Sequence, residues 1–251
     1  MGAEHLPTVQ AGYKPTLQKN KFTLARMLRR SFTFMIQFNF NKPSEEPINI
    51  LCLGAHCDDI EIGCGGTILK LIENYNNITV YWVVFSSNEQ RAKEAKTSSN
   101  TFLKEVLQKK VVILDFRDGF LSFDGLEIKE CFEQLKQEFT PDLIFTHYRE
   151  DRHQDHRLIS EFTWNTFRNH LILEYEIPKY DGDLGIPNLF FHINEAFCRR
   201  KIQYIMDAFQ TQNNKQWFTE ETFRSLMRIR GIESNSPSNY AEAFYCRKIV
   251  F

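Results

Sequence analysis

From residue 48 onward, short runs of β-branched and other apolar residues alternate with longer stretches whose apolar positions recur at a helical spacing. The runs at 48–53, 78–85, 111–116 and 142–146 read as strands. The stretches near 64–76, 89–109 and 127–139 read as helices, each able to serve as a crossover, and a further helix is expected over about 155–171. Such alternation builds βαβ units, so the pattern predicts an α/β protein: a doubly wound, mostly parallel sheet with helices on both faces. Pro178, Gly182, Gly185 and Pro187 then mark 174–191 as loops and short strands. Helical spacing returns near 194–211 and 219–230, and 239–251 reads as a final strand.

Residues 1–46 break this pattern and are expected to be an N-terminal extension to one domain over 47–251. Within the extension, 24–40 is basic and aromatic, with Arg26, Arg29 and Arg30. Docking on the body or on a second subunit suits it better than a membrane surface, which leaves a homo-oligomer open.

Composition narrows the partners. Hydrophobic residues at 42% and charged residues at 25% are ordinary globular values, and a net charge of -1 supplies no field to gather nucleic acid or acidic membranes. The six cysteines are irregularly spaced and form no CxxC pair, which predicts free thiols in a reducing compartment. The sequence shows neither an integral membrane segment nor the apolar core of a signal peptide, so the expected location is cytoplasmic.

Two clusters carry chemistry. The first strand releases Gly54-Ala55-His56-Cys57-Asp58-Asp59, followed by a glycine-rich stretch with Gly63, Gly65 and Gly66 expected to open a helix. The fourth releases His147, then Asp151, His153, Asp155 and His156. Open parallel sheets bind ligands beyond the carboxyl ends of their strands, so both clusters face one crevice. His56, Asp59 and His156 offer the two imidazoles and one carboxylate that suit a catalytic zinc with a position left for water. Asp58 is then placed to act as general base on that water. His153, three residues before His156, is expected to stabilise an oxyanion as an imidazolium and to protonate a leaving amine. Asp155 is expected to hydrogen-bond a histidine.

The clusters resemble the LmbE-like, or PIG-L, family of zinc-dependent N-acetylglucosamine-type deacetylases, with first motif A-H-P-D-D-E-E-I-G-C-G-G-T and a second centred on H-P-D-H. The likeness covers roughly 48–251 and extends to the tail from Arg230 to Asn235 and from Asn239 to Phe244. It implies a Rossmann-like (LmbE-like) fold and removal of an acetyl group from an N-acetylated amino sugar or sugar conjugate. One zinc ion, or another divalent metal, would be held by His56, Asp59 and His156, with Asp58 as base and Asp155 supporting His153. It also implies substrate binding by Arg91 and Glu94, since members often carry an Arg and a Glu three apart. The segment 175–183 resembles a stretch of members encoded among sugar-modification genes. Two positions depart from the motif: Cys57 replaces a proline, placing a thiol beside a ligand, and Ile60 replaces a glutamate.

Two other readings stand beside this one. A metal-dependent phosphoesterase also uses clustered Asp and His. A non-catalytic homologue binding a sugar nucleotide is suggested by Cys57 and Ile60, and nucleotide binding by the glycines, yet Gly63-Cys64-Gly65-Gly66 does not complete GxGxxG.

Overall fold

The computed structural model describes residues 1–2, 40, 42–43 and 45–250. The chain divides after residue 41, and every element below belongs to Lys42–Phe251. The basic stretch expected over 24–40 lies, but for Phe40, outside the described residues.

In chain order the elements are β1 (Ile48–Gly54), α1 (Asp59–Asn74), β2 (Ile78–Ser86), α2 (Glu89–Phe102), β3 (Gln108–Phe116), α3 (Gly125–Glu138), β4 (Leu143–His147), α4 (Gln154–Thr166), β5 (Leu171–Tyr175), β6 (Leu189–Ile193), α5 (Glu195–Ala208), α6 (Glu220–Glu233) and β7 (Tyr240–Cys246). Short 3-10 turns occupy Leu121–Phe123 and Gln210–Gln212. The strands form one 7-stranded sheet in the order β3-β2-β1-β4-β5-β7-β6. From β1 to β5 all pairings are parallel, while β7 runs antiparallel to both β5 and β6. Among the described residues no helix is long and apolar enough to cross a membrane.

Strand alternation sorts the core into two layers. Leu51, Leu53, Tyr81, Val83 and Phe85 share a buried cluster with Ile128, Phe132 and Leu135 of α3 and Ile159 of α4. Trp82, of opposite parity, meets Phe102 of α2 at 6.5 Å between ring centroids, and Phe102 meets Tyr204 of α5 at 5.3 Å.

Several boundaries differ from the pattern-based reading. Helix α1 begins at Asp59, so Gly63, Gly65 and Gly66 lie inside the helix and do not open it. They are packing positions: a Cβ on Gly63 would overlap the Tyr175 ring, and one on Gly65 would come 2.8 Å from Phe102. Glycines cost helix propensity, and here the cost is offset by close approach to β5 and α2. The same stretch is clamped by a buried ion pair. The Lys201 Nζ donates to the Ile62 carbonyl and to Glu242, both at 2.6 Å, while Glu242 accepts from the Gly66 and Thr67 N–H groups at 2.9 and 2.6 Å. The helix expected to reach residue 171 stops at Thr166, because Leu171–Tyr175 pairs with β4 as strand β5. At the sheet edge β3 starts at Gln108, ahead of its apolar run, where exposed Gln108, Lys109 and Lys110 suit an edge strand.

Candidate metal centre and its cavity

Strand β1 lies between β2 and β4, where the strand order reverses, and the loops after β1 and β4 meet there. Backbone bonds fix the first loop. The Ala55 carbonyl accepts from the Ser86 N–H at 2.8 Å and the Ser86 hydroxyl at 2.7 Å, and the Ala55 N–H donates to His147 Nε2 at 2.9 Å. The His56 N–H donates to Asp59 at 2.6 Å. The second loop is fixed by Asp151, whose carboxylate accepts from the His153 N–H at 2.8 Å and faces His156 Nδ1 at 2.9 Å.

Three donor residues converge. His56 Nδ1 and His156 Nε2 stand 3.0 Å apart, with Asp59 Oδ2 3.3 Å from the former and Asp59 Oδ1 3.5 Å from the latter. Ligand atoms about 2.0–2.2 Å from a tetrahedral zinc are about 3.3–3.5 Å apart, so each of these pairwise separations is within a few tenths of an ångström of that spacing, the two Asp59 oxygens being turned to different imidazoles. The other ring nitrogens set the tautomers. His156 Nδ1 is turned to Asp151, and His56 Nε2 faces Asp118 at 3.1 Å and Asp155 at 3.3 Å. With each ring donating outward, two lone pairs and a carboxylate face one point.

The electrostatics there call for one positive charge. Burial alone would lower the His56 pKa, but the carboxylates of Asp59, Asp118 and Asp155 outweigh it and hold it well above the ordinary histidine value. His156 is pushed down to about 3, by burial and by His147, against the pull of Asp59 and Asp151. Burial would raise Asp59, yet the three imidazoles of His156, His147 and His56 hold it well below the usual carboxylate range. A proton on His56, or a cation among the donors, supplies the missing charge. The donor set therefore suits a divalent metal.

Sequence reasoning gave no role to His147, Asp151 or Asp118. His147 is fully buried, stacked 4.0 Å from the His156 ring and 3.2 Å from Asp59. Its Nε2 already accepts from Ala55 N–H, which favours His56 over His147 as the third donor. Asp118 follows β3 at the same sheet edge, so the reasoning applied to the loops after β1 and β4 would have found it.

Other expected residues need correction. The Asp155 carboxylate does not bond the His153 ring; it contacts His56 and accepts from the Gly119 and Leu121 N–H groups at 2.7 and 3.2 Å. His153 caps α4, its Nδ1 accepting from the Asp155 N–H at 3.3 Å. Burial and the charge on His56 lower the His153 pKa, which works against the expected imidazolium. Arg91 lines the cavity and is paired with Asp58 at 2.9 Å and Glu94 at 2.8 Å, its guanidinium 5.2 Å from the Phe209 ring centroid. Glu94 does not line the cavity; it accepts from the Thr211 N–H at 2.9 Å and the Thr211 hydroxyl at 2.6 Å, tying the second 3-10 turn to α2. The buried Cys57 thiol points to the Ser86 carbonyl at 3.4 Å, and burial pushes its pKa up to about 12. Ile60 is fully buried beside Gly54.

Asp58 is buried at the cavity wall, where burial raises its pKa against the opposing pull of Arg91. The cavity holds about 800 Å³ and is also lined by His56, Asp59, His153 and His156, by Arg117 after β3, and by Lys179, Tyr180, Lys215 and Trp217 farther along the chain.

Residues 51–167 match the family described as PIG-L: GlcNAc-PI de-N-acetylase. Over this stretch the chain is similar to the PIG-L family. Over 160 residues the chain is 28% identical to the uncharacterized deacetylase YaiS of Escherichia coli (strain K12), covering 61% of this chain and 86% of that protein. Over 114 residues it is 26% identical to diacetylchitobiose deacetylase of Thermococcus kodakarensis, covering 41% of this chain and 42% of that one. The fold is shared with N,N'-diacetylchitobiose deacetylase from Pyrococcus horikoshii, at a TM-score of 0.62 and 21% identity over 92% of this chain and 94% of that structure. With these PIG-L and LmbE-like relatives, both the family likeness and the α/β class expected from the sequence hold.

Proposed function

We propose that this chain is a zinc-dependent N-deacetylase acting on an N-acetylated amino sugar or sugar conjugate. The observation that carries the reading is the convergence of His56 Nδ1, His156 Nε2 and the two Asp59 oxygens, with nitrogen–nitrogen and nitrogen–oxygen separations of 3.0 to 3.5 Å. Two imidazoles and a carboxylate are a donor set that zinc accepts readily, and other divalent metals less selectively. Bound there, such an ion supplies a Lewis acid and makes water more acidic.

The residues around it divide the remaining work. Asp58 accepts a proton from the water that adds to the acetyl carbon, and its burial gives it more affinity for that proton than an exposed carboxylate has. When the C–N bond breaks, the same proton passes to the departing nitrogen, and acetate and a free amine result. Arg91, paired with Asp58, fixes the carboxylate and keeps it ionised before the reaction. His153 accepts at Nδ1, so its neutral form carries a proton on Nε2 and can hydrogen-bond the developing oxyanion. Asp151, Asp118 and Asp155 hold the two imidazoles with their lone pairs turned inward.

The test is metal analysis of the purified chain together with acetate release from N-acetylated amino sugars, before and after chelation and zinc return. One metal per chain with zinc-restored acetate release supports the reading. Phosphate release from phosphate esters without acetate release would replace it with a phosphoesterase.

A further inference from the structure

One hydrogen-bonded chain joins the buried Asp58 to the far wall of the cavity. Arg91 holds Asp58 at 2.9 Å with one terminal nitrogen, and with the other it donates to Glu94 at 2.8 Å and to the Thr211 hydroxyl at 3.2 Å. Thr211 meets Glu94 twice, its N–H donating at 2.9 Å and its hydroxyl at 2.6 Å. A hydroxyl has one proton and two lone pairs. With the proton given to Glu94 and one lone pair taken by Arg91, the Thr211 oxygen can only accept from a third partner. That partner is the side-chain amide of Gln212, whose Nε2 stands 3.0 Å away. The chain therefore fixes which end of the amide faces Thr211, a choice that a glutamine otherwise leaves open.

The other end, Oε1, is turned elsewhere. Among the described residues it has no hydrogen-bond partner, and it is not sealed from solvent. Gln212 is 6% exposed and lines the cavity, so this acceptor opens onto the space where a ligand sits. The backbone is held as well: the Gln212 N–H donates to the Phe209 carbonyl at 3.0 Å, and the Gln212 carbonyl accepts from the Lys215 N–H at 2.9 Å. A largely desolvated acceptor with a fixed direction favours a ligand that brings a donor to it.

We propose that Gln212 is a specificity-determining residue, its Oε1 accepting a hydrogen bond from a ring or exocyclic hydroxyl of the sugar, and that Thr211 is the positioning residue that aims the amide. That the ligand is a sugar rests on the deacetylase reading above; the presented acceptor does not. One guanidinium and one hydroxyl separate Asp58 from the Gln212 amide. The group that takes the proton from water and the group that reads the ligand are thus held in register through shared contacts. A neutral carbonyl discriminates in one direction: an analogue lacking the hydroxyl leaves it unpaired.

The experiment measures binding and turnover on the full, zinc-loaded chain. Glucosamine, the product of deacetylation, and its 3-, 4- and 6-deoxy analogues are the calorimetric probes, since none of them can turn over; N-acetylglucosamine reports kcat and KM. With the wild type, one of the deoxy probes should bind about tenfold more weakly than glucosamine. In Gln212→Met that difference should fall below about twofold, with KM raised about tenfold and kcat held. Thr211→Val should erase the same difference, and Thr211→Ser, which keeps the hydroxyl, should restore it. A loss of folded protein weakens the response to every probe alike, so it cannot imitate a change confined to one hydroxyl. The same hydroxyl dependence in wild type, Gln212→Met and Thr211→Val, or no dependence on any of the three hydroxyls, would overturn the proposal and leave water as the partner of Oε1. A hydroxyl dependence that follows Gln212, with no acetate released by the wild type, would count against the deacetylase reading alone.

Discussion

The cavity has two walls of different construction. The donor wall comes from residues 55–59 and 147–156, next to the ends of the parallel strands β1 and β4, and its key groups are buried: Asp58, Asp59, His147, Asp155 and His156 are each 5% exposed or less. The outer wall comes from 177–181 and 210–217, which lie between regular strands and helices, and there Tyr180 is 69% exposed. Strand ends are held by the sheet ladder and by bonds such as Ala55 N–H to His147, so they fix reacting groups to within tenths of an ångström. Connecting segments are free to vary in length and side chain, which suits recognition of one sugar conjugate over another. Chemistry and selectivity are thus carried by different parts of the chain.

If that division is right, damage to the donor wall should remove activity and damage to the outer wall should only retune it. Asp58→Ala should lower kcat about 1,000-fold with metal content unchanged, whereas His156→Ala should lose metal and turnover together; metal analysis beside steady-state kinetics separates the two. Gly63→Ala forces a methyl group into the Tyr175 ring and should cost about 3 kcal/mol in denaturant unfolding. Asp151→Asn weakens the hold on His156 Nδ1 and should lower metal affinity about 10- to 100-fold in competition with a chelator.

A smaller effect concerns Glu61, buried in the first turn of α1, where burial pushes its pKa from 4.5 up to about 8. A raised carboxyl pKa means the folded state keeps a proton that the unfolded chain gives up. Stability from this group is therefore full below about pH 4.5 and is lost progressively up to about pH 8. Glu61→Gln should remove that decline, gaining at least about 1 kcal/mol near pH 8 and little near pH 4, as read from urea unfolding at both. Least of all, Tyr180→Ala on the outer wall should raise KM about threefold with kcat held; a collapse of kcat there would erase the distinction between the walls.

The sequence makes the donor wall easier to read than the outer one. His56, Asp58, Asp59, His153 and His156 stand next to strands with clear apolar runs, and parallel strands deliver their ends to a common edge. Asp118 and His147 obey the same logic, but a lone charged residue or histidine carries little signal in a sequence. Glu94 shows where local pattern stops: spacing from Arg91 put both on one side of α2, but contact with Thr211 depends on how the 3-10 turn after α5 packs. The fold divides similarly. Strands β1 to β4 were legible as apolar runs, whereas β5 was partly absorbed into a helix, and the insertion of β7 between β5 and β6 is a long-range pairing that no local run encodes.

The grip of Glu242 on Gly66 and Thr67 ties the helix that begins with Asp59 to a strand close to the far end of the sequence. Three glycines make that helix a poor independent former, and a partner so distant comes late as the chain leaves the ribosome. A nascent polypeptide stalled before Glu242 would hold every donor atom yet lack the brace that seats one of them. Metal capture measured on such stalled chains should therefore switch on only once the last strand has emerged.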